Sequence, residues 1–331
     1  MPYRALLASL LASTLVASLL TSGCGPSPAR ERLRTPKEPF EQLPGLRATN
    51  DPELRRELAR LVDEHATPLL VRRDIVPVEQ NAATPLLGLF TDDDLEYLER
   101  HAEAIAASGG LPLAGEALQR GRSVLAGNER QLDITRRALD RPRCDLGIDP
   151  TQGAMANLSV MRTARLASRW EAFAASAALA DGNLAGATES LVRCLRWAEH
   201  LARERHVVAR VEGGYARLEA LSILAQLVQM PGIAHEEQSL FADLLTRQLK
   251  DWPDDAEAWI GDRAAGLHTY DVARQRKLIK MLTADEILQF EIEGVAGKFR
   301  RFVPAELDAD QAFYLAAMRQ LIAACRLPFY Q

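Results

Sequence analysis

Six arginines form the most suggestive constellation in this chain. Arg162, Arg165 and Arg169 recur at spacings of three and four, which lays them along one stripe of a helix, and Arg193, Arg196 and Arg203 form a second stripe. Guanidinium groups grip carboxylate and phosphate through paired hydrogen bonds, so facing stripes would make an anion-reading groove for a peptide terminus or a lipid headgroup. The plainer reading is a solvated face. Glu189 lies four residues before Arg193 and Glu199 four before Arg203, the spacing of routine surface ion pairs.

Catalytic spacings are absent. The chain has no His-Glu-x-x-His, no Cys-x-x-Cys, no P-loop, no Gly-x-Gly-x-x-Gly and no Gly-x-Ser-x-Gly, so no metal or cofactor is implied. His200 and His206 are six residues apart, on different sides of a helix and expected at the surface. Thr91-Asp92-Asp93-Asp94 could suggest a cation site, but it lacks the glycine and distant glutamate of a calcium loop. Acids in a first helical turn are favoured by the helix dipole, and capping is the expectation there. Cys194 falls on an apolar stripe and reads as core, whereas Cys144, in Arg-Pro-Arg-Cys-Asp, reads as the more accessible thiol. With Cys325, at most one disulfide can form, and three pairings are open.

The elements that must position these residues are helices. Aromatic content is 6%, and long windows are dominated by Ala, Leu, Arg and Glu, which favours helix throughout. Asn50-Asp51-Pro52-Glu53 places a capping side chain and a first-turn proline ahead of Leu54, Leu58 and Leu61. Between Gln152 and Met230 the periodicity is strongest. A first helix carries Leu158, Leu166, Trp170 and Phe173 among many alanines and stops at Asp181-Gly182-Asn183. A second runs with Leu184, Ala187, Leu191, Cys194, Leu195, Ala198, Leu201 and Ala202 on one stripe. A third is read with Val207, Val211, Gly214, Leu218, Leu221, Ala225 and Val228 on its buried face, ending at Pro231-Gly232. Gly213 and Gly214 within it point to close backbone packing or a kink. Further helices are expected at 235–250, 254–282, 283–302 and 308–325, and a short extended segment at 67–78. Short connections between long amphipathic helices make antiparallel neighbours, so the expected fold is all-α: an irregular antiparallel bundle or a curved α-solenoid.

The N-terminus reads as an address. Arg4 precedes 16 apolar or small residues, Ala5–Leu20, short of the roughly 20 that cross a bilayer, and Thr21-Ser22-Gly23-Cys24 follows. This stretch resembles the lipobox of bacterial lipoproteins, with Thr21 where that family prefers leucine. The resemblance implies cleavage before Cys24, diacylglycerol on its thiol and acylation of the new amine. Gly25, in place of the aspartate of inner-membrane retention, implies the outer membrane. An ordinary secretory signal cut near Gly23 is the alternative. Residues 24–48 carry five prolines and little to bury; such a tether reaches roughly 70 Å if extended. The expected organisation is therefore a signal at 1–23, a lipidated tether at 24–48 and a helical domain at 49–331, with a sub-boundary near 142–152. Losing Arg4 with the leader takes the formal net charge from −5 to −6, a poor balance for a nucleic-acid binder.

Two stretches resemble tetratricopeptide-type helical repeats. Gly182, Ala187, Leu191 and Cys194 match the small and large positions where the two helices of a repeat cross, and Pro253-Asp254-Asp255-Ala256-Glu257-Ala258-Trp259 looks like a proline-led repeat entry. That resemblance implies a stacked scaffold that binds an envelope protein or peptide without catalysis. Glu189-Ser190 is similar to the Glu-Ser of lytic transglycosylases, which implies, as the alternative, a cell-wall enzyme using one glutamate as general acid and base.

Overall fold

The computed structural model describes residues 49–63, 76–233, 235–275 and 304–327, and within them the chain is all-α. Among the described residues ten α-helices run α1 (Pro52–Asp63), α2 (Asp92–Gly109), α3 (Gly115–Gly127), α4 (Glu129–Ala138), α5 (Ser159–Ala180), α6 (Leu184–Arg203), α7 (Val207–Leu227), α8 (His235–Lys250), α9 (Asp255–Arg274) and α10 (Pro304–Cys325). Among the described residues no strand forms, and one isolated bridge joins Asn81 to Arg143. The expected leader and tether, most of the extended segment at 67–78 and the helix at 283–302 lie outside the described residues. The chain divides into two units.

The described parts of the larger unit are 76–149, 156–233, 235–262 and 322–327. Its centre is the antiparallel trio α5, α6 and α7, each packed on the other two. Asp181 and Gly182 end α5, Gly182 turning the chain at φ +71°, and the Asn183 side chain accepts from the Gly186 N–H at 3.0 Å to start α6. Trp170 and Phe173 of α5 are fully buried against Leu95 and Ile105 of α2 and Leu118 of α3. On the other side of the trio, Leu191, Cys194 and Leu195 meet Ile223, Leu224 and Leu227 of α7 and Phe241 and Leu244 of α8. Each such side chain contributes about 1.5–3 kcal/mol on leaving water. Thr91 starts α2 by accepting from the Asp94 N–H at 3.2 Å, and the three aspartates occupy the first turn.

The buried face of α7 is not the one its large residues suggest. Val207, Ala209, Gly213, Ala216, Ala220, Ile223, Leu224 and Leu227 are buried, whereas Val211, Leu218, Ala225 and Val228 are exposed. The helix is apolar on both sides, so periodicity alone does not choose, and close approach to α6 does. A Cβ on Gly213 would lie 2.9 Å from both the Ala198 carbonyl oxygen and the Ala202 nitrogen, while Gly214 has open space around it. Small residues let two backbones meet there, and Val211, Tyr215 and Leu218 at that level turn outward.

The described parts of the smaller unit are 49–63, 150–155, 263–275 and 304–321. Asp51 caps α1 by accepting from the N–H groups of Glu53 and Leu54 at 2.9 and 2.8 Å. Leu54, Leu58 and Leu61 then pack on Ala264, Leu267, Ala312 and Leu315. Asp308 joins two segments, accepting from Thr49 Oγ1 at 2.8 Å and Arg274 Nη2 at 2.5 Å. Residues 150–155 form a 3₁₀ segment kinked at Gly153 (φ +58°), and the first helix of the periodic stretch 152–230 starts at Ser159.

Candidate functional site

Four of the residues that could do chemistry meet between α5 and α7. Arg165 Nε donates to Glu212 at 2.9 Å, and its Nη1 and Nη2 donate to the two oxygens of Glu219 at 2.8 and 2.6 Å. Arg169 donates twice to the same carboxylate, at 3.1 and 2.7 Å. Burial opposes charge on Glu219, but Arg165 and Arg169 outweigh it and hold the carboxyl below its ordinary range. Burial likewise works against the Arg165 charge, and Glu219 and Glu212 more than restore it. The four side chains form an ionic tie between two helices.

The remaining sequence-derived candidates do not converge with them. Arg162 donates to Glu99 of α2 at 2.6 and 2.9 Å. Arg193 pairs with Glu189 at 3.0 Å and lies 3.9 Å from Glu171, a fully buried carboxylate that Arg136 holds at 2.6 and 3.2 Å. Arg196 donates to the Leu139 carbonyl. Arg203 lines a small cleft of about 200 Å³, open mouth included, with Glu199, Arg247, Gln248, Asp251, Trp252 and Pro253. The i,i+4 pair expected between Glu199 and Arg203 is replaced: Glu199 accepts from Gln248 Nε2 at 2.5 Å. The two stripes thus go to separate partners, and Arg203 and Arg247 are the exposed guanidinium groups in that cleft.

His200, His206 and Cys144 sit deeper than expected, and Cys194 is core as expected. His200 is buried beside the Trp197 ring, and burial, with Arg196 and Arg203 nearby, lowers its pKa to about 4. His206 is half-buried, its Nε2 lying 3.8 Å from Asp262, whose own carboxyl is raised by burial. Cys144 is half-buried and its thiol is pushed up, first by burial and then by Glu204 and Asp145, so it is not the accessible thiol of the sequence reading. Cys194 is core, 3.3 Å from Ser168 Oγ, and burial pushes it up to about 12. Cys144, Cys194 and Cys325 are all free.

What sequence reasoning missed is the outer face of α7. Val208, Val211, Tyr215, Leu218, Ser222, Ala225 and Gln226 are its exposed positions, and none carries a charge. Leu218 is 60% exposed and Val228, just past the helix end, 47%. The charged residues of the helix face elsewhere: Glu212 and Glu219 to α5, Arg217 over the Trp252 ring at 4.8 Å, and buried Arg210 to the Ala202 and Pro253 carbonyls and Asp255. Ser222 Oγ donates to its own helix at the Leu218 carbonyl, 2.9 Å away, so this hydroxyl asks for no outside partner. Isolated exposed apolar residues are ordinary, whereas a charge-free row along one helix is the composition of a contact surface.

A catalytic arrangement has less behind it. Glu189 is 69% exposed and ion-paired to Arg193, unlike a general acid held in an apolar pocket. Among the described residues no group of three His, Cys, Asp or Glu side chains is placed to hold a metal ion, and no helix is long and apolar enough to cross a membrane. No protein-family model, no curated protein and no solved structure matches the chain.

Proposed function

We propose that the chain is a lipoprotein of the bacterial envelope, held through acylated Cys24 with the outer membrane favoured, whose helical body binds another protein and catalyses nothing. The observation that supports protein binding is the charge-free outer row of α7, since apolar area with no charge to desolvate is what an interface core needs. The lipobox-like segment at Thr21–Cys24 and the proline-rich stretch after it supply the anchoring half of the reading. Leu218→Glu tests the binding half. It puts a charge at the most exposed large apolar residue of the helix's outer row while touching no core contact, so folding is retained and co-purification of a partner from native membranes falls at least about tenfold. Equal capture by wild type and Leu218→Glu would remove α7 as the binding surface.

A further inference from the structure

We propose that the partner seated on α7 is a second copy of this chain, laid antiparallel across the same helix. This rests on the reading of that face as a protein-binding surface and of Cys24 as a membrane anchor. The row has a heptad spacing: 208, 211, 215, 218, 222 and 225 alternate by three and four, with Gly213, Ala220 and Leu227 on the opposite, buried side. Its sizes are graded. The N-terminal half presents Val208, Val211, Tyr215 and Leu218, and the C-terminal half presents Ser222, Ala225 and Gln226. A parallel pair would set large on large and small on small. An antiparallel pair about a twofold axis level with Ala220 sets Leu218 on Ser222 and Tyr215 on Ala225, and each contact is then repeated by symmetry. Like charges do not oppose this, because Glu212 and Glu219, which flank the row, are already neutralised by Arg165 and Arg169.

The area sets the strength. A helix of 21 residues is about 31 Å long, and a strip about 10 Å wide along it offers roughly 300 Å² per copy. Two copies bury about 600 Å², half of the ~1,200 Å² at which stable interfaces begin. The pair is therefore weak in dilute solution and forms where a lipid anchor confines many copies to one surface, raising their effective concentration.

The test uses the full chain in its native membrane. Two differently tagged copies, one carrying Leu218→Cys and the other Ser222→Cys, are co-expressed, oxidised gently and scored for mixed-tag dimer, with wild type as the control for the native thiols. The antiparallel pair predicts a mixed-tag dimer at least about tenfold above the same-tag dimers that either variant forms with itself. Dimers of Leu218→Cys with itself at the same yield would overturn the antiparallel register, and no dimer above control, with the chain in the membrane fraction, would overturn the second copy as partner. A chain found in the soluble fraction would count against the anchor and so against the confinement this pairing needs. A heterologous protein trapped at position 218 would overturn the second copy and leave the broader protein-binding proposal standing.

Discussion

Replacing Glu219 with Gln tests whether the arginines are internal ties. The substitution keeps the side chain's shape and removes its charge, leaving Arg165, whose side chain is 7% exposed, with Glu212 alone, and Arg169 with an amide in place of its carboxylate. Breaking a buried ion pair from one side costs about 3–5 kcal/mol, because the remaining charge stays buried and uncompensated. Glu212 still serves Arg165, so the lower end, about 3 kcal/mol, is expected. Urea unfolding followed by circular dichroism reads this as a fall in midpoint at unchanged slope. Replacing the pair together, Arg165→Met with Glu219→Leu, should cost less than the two single changes added, since no charge is then stranded. The pH dependence gives an independent reading. The Glu219 carboxyl is held below its ordinary 4.5 in the folded state, so its stabilisation is present above that value and is lost as pH falls through the lower folded pKa. Glu219→Gln should flatten that part of the acid profile. A variant within about 0.5 kcal/mol of wild type at neutral pH, with an unchanged acid profile, would refute the ionic tie.

Other outcomes follow from single sites. Gly213→Ala, whose new methyl would sit 2.9 Å from the α6 backbone, should destabilise by about 1–3 kcal/mol, whereas Gly214→Ala, with open space around it, should stabilise by about 0.5–1 kcal/mol; chemical denaturation of the two separates them. His200, with its pKa near 4, should stay neutral in the folded protein at pH 5.5 by ring-nitrogen NMR, and because the unfolded chain binds that proton more readily, its contribution to stability is lost as pH falls from 6.5 towards 4. Cys24→Ala should move the protein from the membrane fraction to the soluble one, and mass spectrometry of the mature wild-type N-terminus should show the acyl chains.

Helix ends were legible because their signals are local. Asp51 before Pro52 and Thr91 before three aspartates act on N–H groups two or three residues away, and the structure uses both. The inner stripe of α6 was legible for a related reason, since its other side is polar. α7 was not, because both of its sides are apolar and the choice was made by alanines and glycine meeting α6 at distances no single-helix pattern encodes. The arginines followed the same logic. Their spacing was read correctly as stripes, but their partners Glu99, Glu212 and Glu219 lie on other helices, and Glu199 chose Gln248 over Arg203. One clue was present: Glu212 and Glu219 are seven residues apart, hence on one face, a register that matches Arg165 and Arg169.

The most direct measurement is site-specific photo-crosslinking in the native envelope. A photoreactive residue at position 218, on the outer row of α7, is compared with one at Glu116, an exposed charged position on α3. The proposed function predicts a discrete protein adduct at 218, lost when Val211→Glu is added, and none at 116. Adducts of equal yield at both positions, lipid adducts alone, or none at 218 would contradict it.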